Sequence, residues 1–123
     1  MTVTLRPLDA AGRAWLDGWL PAAAEAGGYD ASSLIERAAK DRSMQARLIE
    51  RDGTPVGVVA YRLNTPKRGS AVFELVATPP EYARRGAGMT AAALAEDEMR
   101  ARGVRTVYAP AAEVHGISMY FWI

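Results

Sequence analysis

The chain has 123 residues, half of them hydrophobic and 24% charged, which fits a single globular domain over residues 1–123. A net charge of +1 gives no general attraction to nucleic acid or to an anionic membrane. With no cysteine and one histidine, a disulfide scaffold, a thiol nucleophile and a multi-histidine metal centre are excluded within the chain. No secretory signal or membrane-spanning run is apparent, so we expect a cytoplasmic protein.

The first third of the chain predicts one strand followed by two helices. Thr2–Arg6 alternates apolar and polar residues, as a short strand does. Apolar residues near helical spacing predict a helix over Ala10–Leu20, which Pro21 ends or kinks because proline restricts the residue before it. A second helix is expected from about Ser32 to Asp41, where a capping-box spacing precedes an apolar stripe.

The middle of the chain changes to the period of strands. The runs 45–50 and 54–63 flank an Asp-Gly turn, and together they predict an antiparallel hairpin. The run Ala71–Ala77 reads AVFELVA and predicts a further strand, which a pair of prolines ends.

A long helix and another strand follow. Residues 89–103 are rich in strong helix formers, with an apolar seam at 94, 95 and 99, outward charges that include Glu96, and Gly103 at the C-terminal cap. Val104–Ala109 is expected to be a strand parallel to 71–77, because a strand–helix–strand succession forms a crossover. The start of a last helix is expected at 116–123. The predicted class is therefore α/β with a mixed sheet, in the order β-α-α-β-β-β-α-β-α.

The segment between strand and long helix is the most informative one, and it reads Arg84-Arg85-Gly86-Ala87-Gly88-Met89. Closely spaced glycines let backbone N–H groups converge, and the helix that follows adds unpaired N–H groups and the positive end of its dipole. Such a loop holds a phosphate or pyrophosphate, with added charge from Arg84 or Arg85; a tight turn without a ligand is the alternative.

The loop also fits Gly-x-Gly-x-x-Ala, the fingerprint of dinucleotide-binding domains. The segment Pro79 to Arg85 intervenes between the strand and the first glycine, however, and no acidic residue follows at the spacing that a ribose contact needs. The sequence therefore disfavours a dinucleotide domain.

The segment FELVATPPEYARRGAGMTAAALAEDEMRARGV resembles the central part of the GNAT superfamily of N-acetyltransferases. In that family a strand, a short loop and Arg/Gln-x-x-Gly-x-Gly/Ala open a long helix. Pro80-Glu81-Tyr82 and Gly86-Ala87-Gly88 match this pattern, whereas its first position falls on Ala83. The order of elements is similar over nearly the whole chain, although the family's C-terminal strands are expected to be missing.

The resemblance implies an enzyme that transfers an acetyl group from acetyl-CoA, without a metal, to a primary amine on a small molecule or peptide by direct attack. Backbone groups of the loop would hold the pyrophosphate, and those of the preceding strand would hold the pantetheine arm. The residues implied to contact the co-substrate are Val76, Ala77, Thr78, Arg84, Arg85, Gly86, Ala87, Gly88 and Met89.

Glu74 and Tyr120 are the candidate catalytic residues. Glu74 is the only charge within AVFELVA, and a carboxylate can take the amine proton; an ordinary edge or solvent-facing glutamate is the alternative. The family often places a tyrosine acid on the last helix, but Trp122 falls at that position here, so Tyr120 is the candidate acid or else packs as an aromatic residue. His115 is a further candidate acid or base, or simply a residue at the start of the helix.

Two features leave alternatives open. The tryptophan at the acid position favours a second function, a non-catalytic acyl-CoA-binding or regulatory module. The apolar C-terminal residues 119–123 predict a homodimer or an exposed apolar patch. Trp15 and Trp19, one helical turn apart, are expected to pack in the core or to border the acceptor pocket.

Overall fold

A single mixed sheet, covered by helices on both faces, organises the chain. The computed structural model describes residues 2–27, 31–65, 67–82 and 86–108. In chain order the elements are β1 (Val3–Pro7), α1 (Ala10–Asp17), α2 (Leu20–Gly27), α3 (Ala31–Lys40), β2 (Met44–Arg51), β3 (Thr54–Leu63), β4 (Ser70–Ala77), a 3-10 turn (Pro80–Tyr82), α4 (Ala87–Ala101) and β5 (Thr106–Tyr108).

The five strands lie in the order β1-β2-β3-β4-β5. The first four are antiparallel to their neighbours, and β5 is parallel to β4, which confirms both the predicted hairpin and the predicted crossover. Among the described residues, β5 pairs only with Ser70–Val72 at the beginning of β4. The second half of β4 therefore has β3 as its only neighbour in the described part of the sheet.

Each face of the sheet has its own hydrophobic core. On one face, which we call the α4 face, the alanines and Met99 of α4 pack on Val59, Tyr61, Phe73 and Val76. On the other, the α1–α3 face, Leu16, Leu20 and Ile35 pack on Val58, Ala60, Leu75 and Ala77. Burial of both faces explains why β3 and β4 read as almost continuous apolar runs.

Three helices, rather than the predicted two, join β1 to β2. The N–H groups of Gly18 and Trp19 donate to carbonyls three residues back and so close α1 before the proline is reached. Pro21 does not end a helix but lies in the first turn of α2, where the missing N–H would have no partner within the helix. The expectation that the first helix extends to Leu20 is therefore wrong.

A glycine flanks helix α4 at each end. Gly103 follows its last turn with φ +88°, as predicted for a helix C-terminus. Glu96, expected to face outward, is only 6% exposed and forms an ion pair with Arg100. The reason is that α4 contacts every strand from β1 to β4, so its buried face is wider than the predicted seam.

The predicted last helix, which includes Tyr120, lies outside the described residues. The apolar residues 119–123, on which the predicted homodimer is based, lie outside them as well. Within the described ranges, no helix is long and apolar enough to cross a membrane.

Candidate functional site

The start of α4 carries backbone donors that have no acceptor within the helix. Gly86 precedes the helix in a left-handed conformation, with φ +81° and ψ −4°. A Cβ atom built on Gly86 would meet none of the described residues within 4 Å. The Thr90 N–H donates to the Gly86 carbonyl at 3.1 Å, and the N–H groups before it have no acceptor four residues back within the helix. This end of α4 can therefore receive an anion.

The described part of the connection that follows β4, residues 78–82, is anchored to the core. Pro79 is fully buried, and its carbonyl accepts from the Tyr82 N–H at 2.9 Å. The Tyr82 ring packs against the core of the α4 face.

A close approach of β3 to β4 sets the position of Val76, Ala77 and Thr78. A Cβ atom on Gly57 would lie 2.6 Å from the Ala77 carbonyl oxygen and 2.9 Å from Thr78 Cγ2. Only glycine fits there, so the end of β4 lies tightly against β3 on one edge. On the opposite edge, no described strand pairs with this part of β4.

A β-bulge in β4 decides where Glu74 lies. Phe73 is the Cα partner of Tyr61 and Leu75 that of Ala60, so Glu74 is an extra residue without a partner in β3. Residues two apart in a strand normally share a face. Here Phe73 packs on the α4 face and Leu75 on the α1–α3 face, because the bulge shifts the phase by one residue.

Arg62 is the partner of Glu74 and shows which face the carboxylate occupies. Arg62 lies between Tyr61 and Leu63, which both pack with the α4-face core, so its own side chain is on the α1–α3 face. Its Nε lies 3.6 Å from Glu74 Oε1, and both side chains are about one-quarter exposed. Glu74 is therefore on the α1–α3 face as well, and it is neither a fully solvated nor a fully buried glutamate.

A second carboxylate, that of Asp41, also lies within the field of Arg62. Hydrogen bonds from the Ser43 hydroxyl and the Ser43 N–H, at 2.7 and 2.9 Å, lower the pKa of Asp41. Burial opposes this shift, and the charges of Arg62 and Arg37 add to it. The Arg62 Nε is buried and has no hydrogen-bond partner within the part of the chain that the structure describes.

The aromatic residues divide between the two faces. Trp15 and Trp19 meet edge to face at 5.4 Å between ring centroids and pack against the α1–α3 core, which confirms the packing prediction. The Nε1 of Trp19 is buried and finds no hydrogen-bond partner among the described residues. Tyr61 is fully buried on the α4 face, and its hydroxyl donates to Glu98 Oε2 at 3.0 Å.

Several predicted site residues remain untested by this geometry. Arg84, Arg85, His115, Tyr120 and Trp122 lie outside the described residues. Of the predicted loop, the described residues are Gly86, the buried Ala87, Gly88 and Met89, which is 57% exposed. No group of three or more metal-ligating side chains occurs within the described ranges.

Sequence reasoning missed Arg62 and Asp41. Arg62 is a charged residue near the end of an otherwise apolar strand. Glu74 was identified from the same pattern, a lone charge in an apolar strand. Asp41 ends a predicted helix, and nothing in its sequence surroundings connects it with β3 or β4.

Solved acetyltransferase structures share this fold. A GNAT-family acetyltransferase from Brucella melitensis in complex with acetyl-CoA gives a TM-score of 0.72 at 15% identity, covering 92% of this chain and 77% of that chain. A ribosomal-protein-alanine N-acetyltransferase from Brucella melitensis biovar Abortus 2308 gives 0.69 at 19% identity, with coverages of 92% and 81%. An aminoglycoside acetyltransferase from an uncultured soil metagenomic sample gives 0.65 at 18% identity, with coverages of 95% and 84%.

Comparison with curated proteins gives no match. The family model described as the acetyltransferase (GNAT) family matches residues 9–120, which is most of the chain. The match extends over the helices of the α1–α3 face, the bulged strand and the glycine start of α4. This chain belongs to the acetyltransferase (GNAT) family.

Proposed function

We propose that the protein is an N-acetyltransferase that moves the acetyl group of acetyl-CoA to a primary amine by direct attack. The observation that carries the proposal is the end of β4, which no described strand pairs on one edge, together with the glycine start of the helix that follows it. Membership of the GNAT family supports acetyl transfer in general. The acceptor, the mechanism and the residue roles are our proposal.

Backbone groups bind the co-substrate in this proposal. N–H groups from Arg84 to Met89 hold the pyrophosphate, supported by the glycine start and by the dipole of α4. Arg84 and Arg85 add charge-assisted contacts. The pantetheine arm lies along the free edge of β4 and takes hydrogen bonds from Val76, Ala77 and Thr78, as an added strand would.

The chemistry uses Glu74 as the base. The amine nitrogen attacks the thioester carbonyl carbon, and its proton passes to the Glu74 carboxylate directly or through one water. A main-chain N–H near Val76 or Ala77 stabilises the oxyanion of the tetrahedral intermediate. That intermediate then collapses, the carbon–sulfur bond breaks, and the CoA thiolate leaves with a proton from Tyr120. No metal takes part, the reaction belongs to the cytoplasm, and a homodimer is the expected assembly.

Calorimetric titration with CoA, acetyl-CoA and NAD tests the binding half of the proposal. We expect heat with the two CoA ligands and none with NAD. An absence of heat with either CoA ligand would contradict the proposal. Binding without thiol release over a panel of amines would instead assign the alternative, a non-catalytic acyl-CoA-binding module.

The variant Glu74→Gln tests the base. Removing a general base typically costs 10²-fold or more, so we expect kcat to fall at least about 100-fold while the acetyl-CoA dissociation constant stays unchanged. Glu25→Gln, at an exposed position of α2, is the matched control and is expected to turn over normally. Unchanged turnover by Glu74→Gln would remove Glu74 from the mechanism.

A further inference from the structure

A cavity of about 590 Å³ opens where the start of α1, the end of α3 and the start of β2 meet. Ile35 and Ala46, which belong to the core of the α1–α3 face, form part of its lining. The cavity is therefore on the same face of the sheet as Glu74. Its volume is in the range of small-molecule and peptide-end sites.

Neighbouring residues of β2 and β3 connect this cavity with Glu74, the candidate base. Met44 lines the cavity and is the Cα partner of Arg62 in β3. Arg62 in turn reaches Glu74 in β4, and its charge acts on Asp41, which also lines the cavity. Neighbouring strands are about 4.8 Å apart, so β2 lies about 10 Å from β4.

The carboxylates of the cavity are already engaged. Asp9 Oδ1 caps α1 by accepting from the Gly12 N–H at 2.7 Å, and Asp9 Oδ2 lies 3.5 Å from Arg6. Asp41 accepts two hydrogen bonds from Ser43. Neither acid is a free partner for a cationic ligand.

The cavity has more positively charged side chains than acidic ones, and fewer of the positive ones are held in ion pairs or hydrogen bonds. The positively charged side chains along the cavity are those of Arg13, Lys40 and Arg42. Arg47 also lines it, but its side chain pairs at 3.5 Å with Glu98 of α4 on the opposite face of the sheet. Arg13 reaches Asp17 only at 3.9 Å. Lys40 and Arg42 are exposed and have no acid within 4.0 Å among the described residues. The cavity therefore offers positive charge to a ligand.

We infer that this cavity receives the acetyl acceptor, and that the acceptor is an amine carrying a carboxylate or phosphate about 10 Å from its reactive nitrogen. The inference rests on the proposed function, because it places the nitrogen at Glu74. Arg42 lies two residues before β2 begins, so the spacing between β2 and β4 sets the scale of this distance, and about three residues of extended peptide span it. Lys40 and Arg42 bind the anionic group, and like-charge repulsion disfavours polyamines at the same site.

A thiol-release assay with tetrapeptides tests the acceptor class. The peptides are amidated Ala-Ala-Ala-Asp, Ala-Ala-Ala-Asn and Ala-Ala-Ala-Lys, which differ in one side-chain charge. We expect kcat/KM to be about 10-fold higher for the acidic peptide than for the neutral one, lowest for the basic one, and the preference to shrink in 0.5 M NaCl. 8-Aminooctanoate and its amide repeat the comparison without a peptide backbone, and so separate small-molecule from peptide acceptors.

Variants of the cavity test whether the preference for the acidic peptide arises there. Lys40→Ala with Arg42→Ala is expected to reduce the acidic preference to about 2-fold. Lys67→Ala with Arg68→Ala, an equally exposed cationic pair on the loop before β4, is the matched control and keeps the preference. The single change Arg42→Glu, measured separately, is expected to reverse the preference and covers the case in which the double variant folds poorly.

The outcomes separate the two levels of the proposal. If the neutral or basic peptide, or spermidine, is acetylated as fast as the acidic one, the acceptor inference is overturned while the acetyltransferase stands. A preference that survives Lys40→Ala with Arg42→Ala also overturns it. If no amine releases the thiol although acetyl-CoA binds, the proposed function fails, and the acceptor inference fails with it.

Discussion

Arg62 carries a permanent charge in a partly buried place, and that charge needs a neighbouring anion. Among the described residues its Nε has no hydrogen-bond partner, and it forms an ion pair with Glu74 Oε1 at 3.6 Å. A guanidinium cannot deprotonate in a protein, so its charge stays beside the Glu74 carboxylate. Arg62 is therefore a positioning residue for Glu74.

Arg62→Met is expected to lower kcat about 10-fold or more, with little change in the KM for acetyl-CoA, because the base loses its orientation and its counter-charge. Arg62→Lys is expected to recover part of the loss. Steady-state kinetics over both substrates measures the split.

Arg47→Met is the matched control for this prediction. Arg47 lies on β2, is similarly buried, and pairs with Glu98 at 3.5 Å. We expect a comparable loss of stability without a loss of kcat. Equal kinetic effects of the two changes would mean that Arg62 supports the fold alone.

At the scale of elements, patterns that are local in sequence predicted most of the fold. The hairpin of β2 and β3 follows from a two-residue turn between alternating runs, and α4 follows from helix formers ending at Gly103. Pro21 was misread because a proline is compatible both with a helix end and with a first turn, and the sequence pattern alone does not separate them.

The bulge at Glu74 shows why the site was only half predictable. A lone charge in an apolar strand identified Glu74 as a candidate, and the glycine spacing identified the helix start. Which face Glu74 occupies depends on a pairing shift between β3 and β4, a tertiary feature with no pattern inside AVFELVA. For the same reason, the sequence does not predict that Arg62 lies beside Glu74 or that its charge acts on Asp41. Both interactions depend on how β2, β3 and β4 are arranged.

Gly86→Ala tests the role of the helix start. Its φ of +81° disfavours any residue with a Cβ, so we expect a loss of about 1–2 kcal/mol in stability and at least 10-fold weaker acetyl-CoA binding. Gly53→Ala imposes the same strain at φ +84° in the turn between β2 and β3, also with free space around it. Urea unfolding should give similar losses for both, whereas calorimetry should show weaker binding only for Gly86→Ala. Equal affinities would take this turn out of the pyrophosphate site.

At the scale of the whole molecule, polar contacts connect helix α4 with two strands of the sheet. Tyr61 on β3 donates to Glu98 on α4, which also pairs with Arg47 on β2. The proposed site needs α4 fixed on the sheet, because the proposal uses the helix start and the β4 edge together. The stability of the whole fold should therefore depend on the protonation of this one tyrosine.

Burial, followed by the charge of Glu98 and the hydrogen bond to it, raises the pKa of Tyr61 to about 12. An unfolded tyrosine releases its proton near pH 10, so between about pH 10 and 12 the unfolded state binds fewer protons than the folded state. The contribution of Tyr61 to the unfolding free energy is therefore complete below pH 10 and is lost as the pH rises to 12. Tyr61→Phe should flatten this decline in urea unfolding measured from pH 9 to 11.5, while Tyr108→Phe, at an exposed position, should leave it as in the wild type. A decline that is equally steep in Tyr61→Phe would show that other groups, and not the link between β3 and α4, set the alkaline limit of the fold.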